Sequence, residues 1–191
     1  MPRTPLIRTN SSPYHVVTRS NNRDWFSLPM YKVWSIAKHC LQKAHEKHPY
    51  KLHAFVLMSN HYHMVIQTLN YDLDKVMFEF NRRFSLILKH ESGHINRKFG
   101  SRYKWSLITE DQYFMNVLRY VYQNPLRARI CKSCERYPYS SLNQAARIPI
   151  KMERQKLSLE WLNAYLPEND VEITRKGLKR PLYRKNKSDF V

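Results

Sequence analysis

The sequence is poor in glycine, in cysteine and in acidic residues. Its 191 residues include three glycines, three cysteines and 15 Asp+Glu. A dinucleotide-binding G-x-G-x-x-G turn and a phosphate-binding P-loop both need clustered glycines, because the backbone must approach the phosphate closely. Gly93, Gly100 and Gly177 match neither spacing. Any phosphate that this protein binds must therefore be held by side chains.

Long apolar runs and a disulfide framework are also missing. The longest apolar runs, 54–58 and 64–66, are far shorter than the roughly 18 residues of a membrane span. Residues 1–10 lack the apolar core of a signal peptide. Cys131 and Cys134 form a C-x-x-C pair, but no second pair completes a zinc ribbon. We expect a cytoplasmic protein with no membrane partner, associated with the nucleoid when it binds DNA.

Positive charge dominates the composition. The chain carries 33 Lys+Arg, a formal net charge of +18 and a sequence pI near 10.0. A hydrophobic fraction of 42% and an aromatic fraction of 13% indicate a folded protein rather than a disordered basic tail. Residues 1–150 carry +14 of the charge and residues 151–191 carry +4. The folded part itself therefore presents a basic surface, and nucleic acid is the first candidate partner.

Hydrophobic periodicity predicts an α+β protein with a ferredoxin-like fold. The predicted order is a split β-α-β-β-α-β sheet with helices on one face, followed by a further helix after the fourth strand. The predicted strands are 14–19, 52–58, 62–68 and 102–108, and the predicted helices are 29–47, 72–90 and a third that opens with a Thr109-x-x-Gln112 capping box and ends at Asn124-Pro125.

The character of the chain changes after about residue 142. We divide it into a catalytic domain, 1–142, and a basic C-terminal extension, 143–191. The extension has a short helical pattern over 157–166, and its end has the composition of a disordered tail.

The segment His61-Tyr62-His63 places two imidazoles at positions i and i+2. In a strand such residues point to one face, about 6–7 Å apart, so both rings can converge on one divalent cation. Tyr62 would then turn towards the core. On softness alone, an imidazole pair suits Mn²⁺, Zn²⁺, Ni²⁺ or Cu²⁺ better than Mg²⁺. Two histidines on a solvated strand face give the same pattern, so this motif alone does not establish a site.

Tyr120 and Asn124 stand at i and i+4 in the third predicted helix, and so share one helix face. A tyrosine there presents a nucleophile beside an amide metal ligand. The alternative is an interfacial tyrosine and an asparagine that caps the helix before proline. Tyr122 would face nearly the opposite side and is rejected as nucleophile. Tyr113 shares the face of Tyr120 but lies further from Asn124, and ranks second.

Taken together, the two motifs predict one reaction. A cation held by His61, His63 and Asn124 would polarise a phosphodiester, and the Tyr120 phenolate would attack phosphorus to form a covalent phosphotyrosine. The phosphotyrosine diester keeps the energy of the broken bond, so the step is reversible without ATP. That agrees with the missing nucleotide-binding loops.

Five segments in order resemble the single-tyrosine HUH transposases, and most closely the REP-associated tyrosine transposases: VLMSNHYHMVI, FNRRF, SRYKWSLI, YVYQNPLRA and YPYSS, within about residues 13–142. The resemblance implies Tyr120 as nucleophile and Asn124 as the polar metal ligand four residues later. It implies Mg²⁺ or Mn²⁺, single-stranded DNA near imperfect hairpins, a 5′-phosphotyrosine link and a monomer rather than a homodimer. Ser20, Ser59 and Tyr139 depart from the glycine, proline and tryptophan usual in the family.

A set of basic and amide side chains is predicted to contact DNA by charge, with aromatic stacking as the second contribution. Trp25, Trp34 and Trp105 are candidate stacking residues, although core packing is expected for at least two of them. The predicted DNA contacts are Asn21, Asn22, Arg23, Arg82, Arg83, Arg102, Lys104, Arg127 and Arg129.

Two other functions remain open from the sequence. A ferredoxin-like sheet also suits a non-catalytic, single-stranded nucleic-acid-binding module, but no RNP1-like run is present. A small basic ribosome-associated protein would explain the charge and would leave both motifs as coincidences. The DNA sequence recognised, retained transposition activity, oligomeric state, cellular metal and role of residues 143–191 do not follow from sequence.

Overall fold

The computed structural model describes residues 5–93, 99 and 102–164. Their main elements follow the predicted order. They are β1 (Tyr14–Arg19), α1 (Met30–Lys47), β2 (Tyr50–Leu57), β3 (His61–Thr68), α2 (Leu73–Ser92), β4 (Lys104–Leu107), α3 (Asp111–Arg127) and α4 (Leu159–Asn163). Among these residues no helix is both long and apolar enough to cross a bilayer.

The four strands form one antiparallel sheet in the spatial order β2-β3-β1-β4. The two central strands, β1 and β3, are distant in sequence yet adjacent in space. In their register Arg19 lies opposite His61, and Val17 lies opposite His63. This arrangement confirms the ferredoxin-like α+β prediction and brings the His-x-His segment to the middle of the sheet.

Each face of the sheet has its own hydrophobic core. Alternate residues of β3 divide between them, because successive side chains of a strand point to opposite faces. Tyr62 belongs to the core beneath α1 and α2. Val65 belongs to the core against which α3 packs. His61 and His63, at the same parity as Val65, therefore face α3, and Tyr62 is fully buried as predicted.

The third helix differs from its prediction at both ends. It begins at Asp111 with Glu110 as N-cap and no side-chain cap hydrogen bond, so the predicted capping box is wrong. It runs to Arg127 with Pro125 inside it. Proline has no N–H to donate to the carbonyl four residues earlier. Asn124 Nδ2 lies 3.4 Å from that carbonyl, Val121 O, and 2.8 Å from Tyr120 O, which compensates locally.

The remaining boundaries shift by a few residues, as strand and helix ends commonly do. β4 is shorter than predicted because Arg102 and Tyr103 lie outside the ladder. α2 ends at Gly93, whose φ of 67° is the left-handed conformation that glycine tolerates.

Part of the predicted extension packs against the two cores. Ile150 joins the core beneath α1 and α2, and Leu162 of α4 joins the core beneath α3. Gln123 of α3 donates to the carbonyls of Leu162 and Ala164 at 2.8 and 2.6 Å. The predicted disordered end, beyond residue 164, lies outside the described residues.

Candidate active site

A cleft of about 580 Å³ lies between α3 and the face of the sheet formed by β1, β3 and β4. All four residues of the predicted catalytic set line it: His61, His63, Tyr120 and Asn124. Strand periodicity directs the two histidines to this face, and helical periodicity directs Tyr120 and Asn124 towards them. The fold thus brings together two motifs that are about 60 residues apart in sequence.

His63 is the most buried of these side chains and has a partner that the sequence did not reveal. Its Nδ1 lies 2.9 Å from Nε2 of His15 on β1, and both rings are almost fully buried. The two rings are nearly parallel, with an interplanar angle of 2° and centroids 5.2 Å apart. His63 Nε2 is buried and has no hydrogen-bond partner among the described residues. That nitrogen is the unused valence of the site.

His61 is held from the other side of the hairpin turn. Its Nδ1 lies 2.7 Å from Asn60 Oδ1. A carboxamide oxygen only accepts hydrogen bonds, so His61 Nδ1 carries the proton and Nε2 has the free lone pair. Asn60 is fixed in turn, because its Nδ2 donates to Arg23 O at 2.6 Å and its carbonyl accepts from Ser20 N at 2.8 Å.

The cleft keeps its histidines neutral. Burial lowers the pKa of His15 to about 3. Burial, with a smaller effect of the Arg19 charge, lowers the pKa of His61 to about 4. Burial and the neighbouring His15 hold the pKa of His63 well below its usual range. Neutral imidazoles are the form that binds a metal cation.

Tyr120 projects from α3 over the imidazoles. Its ring meets His63 edge-on with centroids 5.7 Å apart, and His15 edge-on at 6.1 Å. The ring is half-buried and lines the cleft, so substrate can reach it. Asn124, one turn further along, uses Nδ2 in hydrogen bonds to its own helix, which leaves Oδ1 for a ligand.

These residues fit a divalent cation. His61 Nε2, His63 Nε2 and Asn124 Oδ1 all have lone pairs available in the same cleft. No group of three or more His, Cys, Asp or Glu side chains suited to a metal occurs within the described part of the chain. A centre built on this histidine pair therefore needs a ligand of another type, which Asn124 supplies.

The other tyrosines considered as nucleophiles are placed unfavourably. Tyr122 points away from the cleft, and its hydroxyl donates to His53 O at 3.2 Å. The Tyr113 hydroxyl is buried, and burial raises the pKa of that phenol. Neither lines the cleft, which leaves Tyr120 as the tyrosine in contact with the imidazoles.

Three of the predicted DNA contacts, Arg102, Lys104 and Arg127, line the cleft. Arg19 lines it as well and was missed by sequence reasoning. The β1–β3 register that pairs Arg19 with His61 was the missing information. The cleft is therefore positively charged around its neutral imidazoles, as a site for a phosphodiester should be.

Asn21, Asn22 and Arg23 form a short exposed 3-10 helix directly after β1. Asn22 and Arg23 have positive φ angles of 53° and 62°. The Asn60 bond to Arg23 O ties this loop to the turn that precedes His61. The loop thus lies beside the site without lining the cleft.

The cleft does not gather the remaining predicted contacts. Arg82 and Arg83 lie on α2, across the sheet from the cleft, where Arg83 Nε donates to buried Glu79. Arg129 is exposed just beyond α3 with a φ of 58°. Helix faces set these positions, and the sequence did not reveal which face each helix presents.

The tryptophans divide as the packing requires. Trp34 is buried and stacks on Phe55, and Trp105 packs edge-on against Tyr14. Trp25 is 73% exposed in the loop after β1. Only Trp25 of these three is placed for stacking on a base.

Comparison with known proteins identifies the family. A family model described as IS200-like transposase matches residues 8–124, which contain every residue of the proposed catalytic set. The chain belongs to the IS200-like transposase family. No curated protein matches the sequence of this transposase.

Solved structures place the transposase among proteins of the same fold. It is similar to a REP-associated tyrosine transposase bound to a REP hairpin, with a TM-score of 0.65, 17% identity, and coverage of 83% of this chain and 96% of that chain. A protein assigned as a transposase from Deinococcus radiodurans R1 matches with a TM-score of 0.43 and 12% identity, over 63% of this chain and 94% of that chain. The first match bears out the fold, and the second is too weak to support an argument.

Proposed function

We propose that this transposase cleaves and rejoins single-stranded DNA through a covalent bond to Tyr120. The observation that carries the proposal is the placement of Tyr120 edge-on against His63, in a cleft that also holds His61 and Asn124. A nucleophile, two neutral imidazoles with free lone pairs and an amide oxygen thus border one space. DNA fits that space because Arg19, Arg102 and Lys104 line it.

The residues have separate roles. His61, His63 and Asn124 would hold Mg²⁺ or Mn²⁺, which supplies Lewis-acid polarisation of the scissile phosphate when it is bound. Tyr120 loses its phenolic proton to solvent, and its oxygen attacks phosphorus. One phosphorus–oxygen bond forms and the bond to the 3′ oxygen breaks, which leaves a 5′-phosphotyrosine and a 3′-hydroxyl. The count of phosphodiester bonds is unchanged, so the reverse reaction rejoins DNA without a nucleotide cofactor.

The substrate we propose is DNA with a hairpin next to the single strand. A structural relative is bound to a REP hairpin, and the sequence motifs resemble the REP-associated subgroup. The cleft is open enough for a strand, while exposed Trp25 and the loop of Asn21, Asn22 and Arg23 flank it. Charge around the cleft and an aromatic ring beside it suit a single strand. We propose a monomer as the working unit.

The test is adduct formation by Tyr120→Phe. Wild-type protein mixed with labelled hairpin-bearing single-stranded DNA and Mn²⁺ should give an SDS-resistant adduct that EDTA prevents. Tyr120→Phe keeps the ring contacts with His15 and His63 but lacks the nucleophile, so the adduct should disappear while DNA affinity stays within about twofold. Tyr113→Phe is the matched control and should retain the adduct. An adduct in Tyr120→Phe, or none in wild type across a broad hairpin library, would refute the proposal and favour a binding-only protein.

A further inference from the structure

We propose that His15 is a positioning residue that holds His63 in the tautomer required for metal binding. The inference rests on the proposed function, because it concerns the cation held by His61, His63 and Asn124. It adds a residue from a different strand to the site. The supporting observations are the contact between the two rings, their burial and the unpaired nitrogen of His63.

The contact is direct and rigid. His15 Nε2 and His63 Nδ1 are 2.9 Å apart, and the ring planes differ by 2°. β1 and β3 are hydrogen-bonded neighbours at the centre of the sheet, which fixes the backbone on both sides. His15 and His63 are 1% and 3% exposed. Water therefore has little access to compete for the hydrogen bond.

Only one direction of this hydrogen bond allows a cation to bind. If His15 Nε2 donated, neutral His63 would carry its proton on Nε2, and that nitrogen could not ligate a metal. The Nε2 proton would also be a buried donor without an acceptor among the described residues. If His63 Nδ1 donates to His15 Nε2, the lone pair of His63 Nε2 is free towards the cleft. His15 then carries its own proton on Nδ1.

The same device appears at both imidazoles of the site. Asn60 Oδ1 accepts from His61 Nδ1, and His15 Nε2 accepts from His63 Nδ1. Such outer partners fix both the tautomer and the ring orientation of a ligating histidine, and their loss commonly weakens metal affinity about 10- to 100-fold. Asn60 adjoins His61 in the turn, whereas His15 lies 48 residues from its partner.

Two substitutions separate the hydrogen bond from the packing. His15→Phe keeps an aromatic ring and removes the acceptor. His15→Gln removes the ring and can place an amide oxygen near the position of Nε2. Mn²⁺ titration followed by the electron paramagnetic resonance signal of free Mn²⁺ should show affinity about 10- to 100-fold weaker in His15→Phe, with recovery to within a few-fold in His15→Gln. Thermal melting and metal-free DNA binding measure the integrity of the fold.

The outcomes distinguish the inference from the proposed function. Absence of Mn²⁺ binding in wild type would overturn both. Binding by wild type that is unchanged in His15→Phe, or equally lost in both variants while both remain folded, would overturn the role of His15 alone.

A wild-type measurement decides the matter if a variant fails to fold. Long-range ¹⁵N–¹H correlation spectra of metal-free, ¹⁵N-histidine-labelled protein report which ring nitrogen carries the proton. We expect His63 as the Nδ1–H tautomer, and an Nε2–H signal for His63 would overturn the inference.

Discussion

Mild acid should destabilise this transposase strongly, because its cleft buries three neutral histidines. Unfolding exposes His15, His61 and His63 to water, where an imidazole has a pKa near 6.5. In the folded protein burial lowers the pKa of His15 to about 3 and that of His61 to about 4, and lowers that of His63 as well. Below the unfolded pKa the unfolded chain therefore binds more protons than the native one. Stability is fully present above about pH 6.5 and falls as the pH drops towards the folded values.

The size of the effect follows from the window between the two pKa values. Each such histidine contributes a loss of about 1.4 kcal/mol per pH unit below the unfolded pKa, or about 2 kcal/mol from about pH 7.5 to about pH 5. Three independent histidines would lose about 6 kcal/mol, which is comparable with the whole stability of many domains. Glu79, whose pKa is lowered by the hydrogen bond from Lys47, has its window below about pH 4.5 and does not contribute here.

Urea denaturation at a series of pH values measures this loss. The experiment uses metal-free protein in EDTA, so that cation binding does not add its own pH dependence. His15→Phe removes one buried titrating group and should reduce the loss between about pH 7.5 and about pH 5 by about 2 kcal/mol. His90→Gln is the matched control, since its side chain is 88% exposed, and should leave the loss unchanged. A stability that stays constant over this range in wild type would refute the assignment of buried neutral imidazoles.

Two further predictions concern the charge of the cleft and the C-terminal segment. Lys104→Gln removes one cleft cation and should weaken single-stranded DNA binding and lower the slope of log affinity against log salt by about 0.7, whereas Lys32→Gln on α1 should change neither, as measured by fluorescence anisotropy. Equal slopes in both variants would contradict a cleft-bound strand. Leu162→Ala empties a fully buried position behind α3 and should cost about 2–5 kcal/mol of unfolding free energy in urea, and a cost below about 1 kcal/mol would show that α4 is peripheral.

The sequence anticipated the features that depend on local periodicity. Alternation in a strand is fixed by the backbone, so His61 and His63 were expected on one face opposite Tyr62, and they lie there. Helical spacing likewise placed Tyr120 and Asn124 together on one face of α3. The capping box failed because Thr109 resembles a cap in sequence, while the chain becomes helical only after Glu110.

The residues that the sequence missed are set by non-local pairing. His15 and Arg19 belong to β1, and only the antiparallel register with β3 brings them beside His63 and His61. Arg82 and Arg83 were grouped with the cleft by charge, but α2 covers the other face of the sheet. Neither result follows from composition or spacing.

The sequence by itself determined the type of chemistry: a basic, glycine-poor chain with a His-x-His pair and a Tyr-x-x-x-Asn pair, each on one face of its own element. These are consequences of residue type and backbone period, which act over a few residues. The tertiary structure decided that the two pairs face each other, that the site closes around His15 and Arg19, and that its histidines are neutral. Those properties depend on strand register and burial, which arise only when distant parts of the chain pack together.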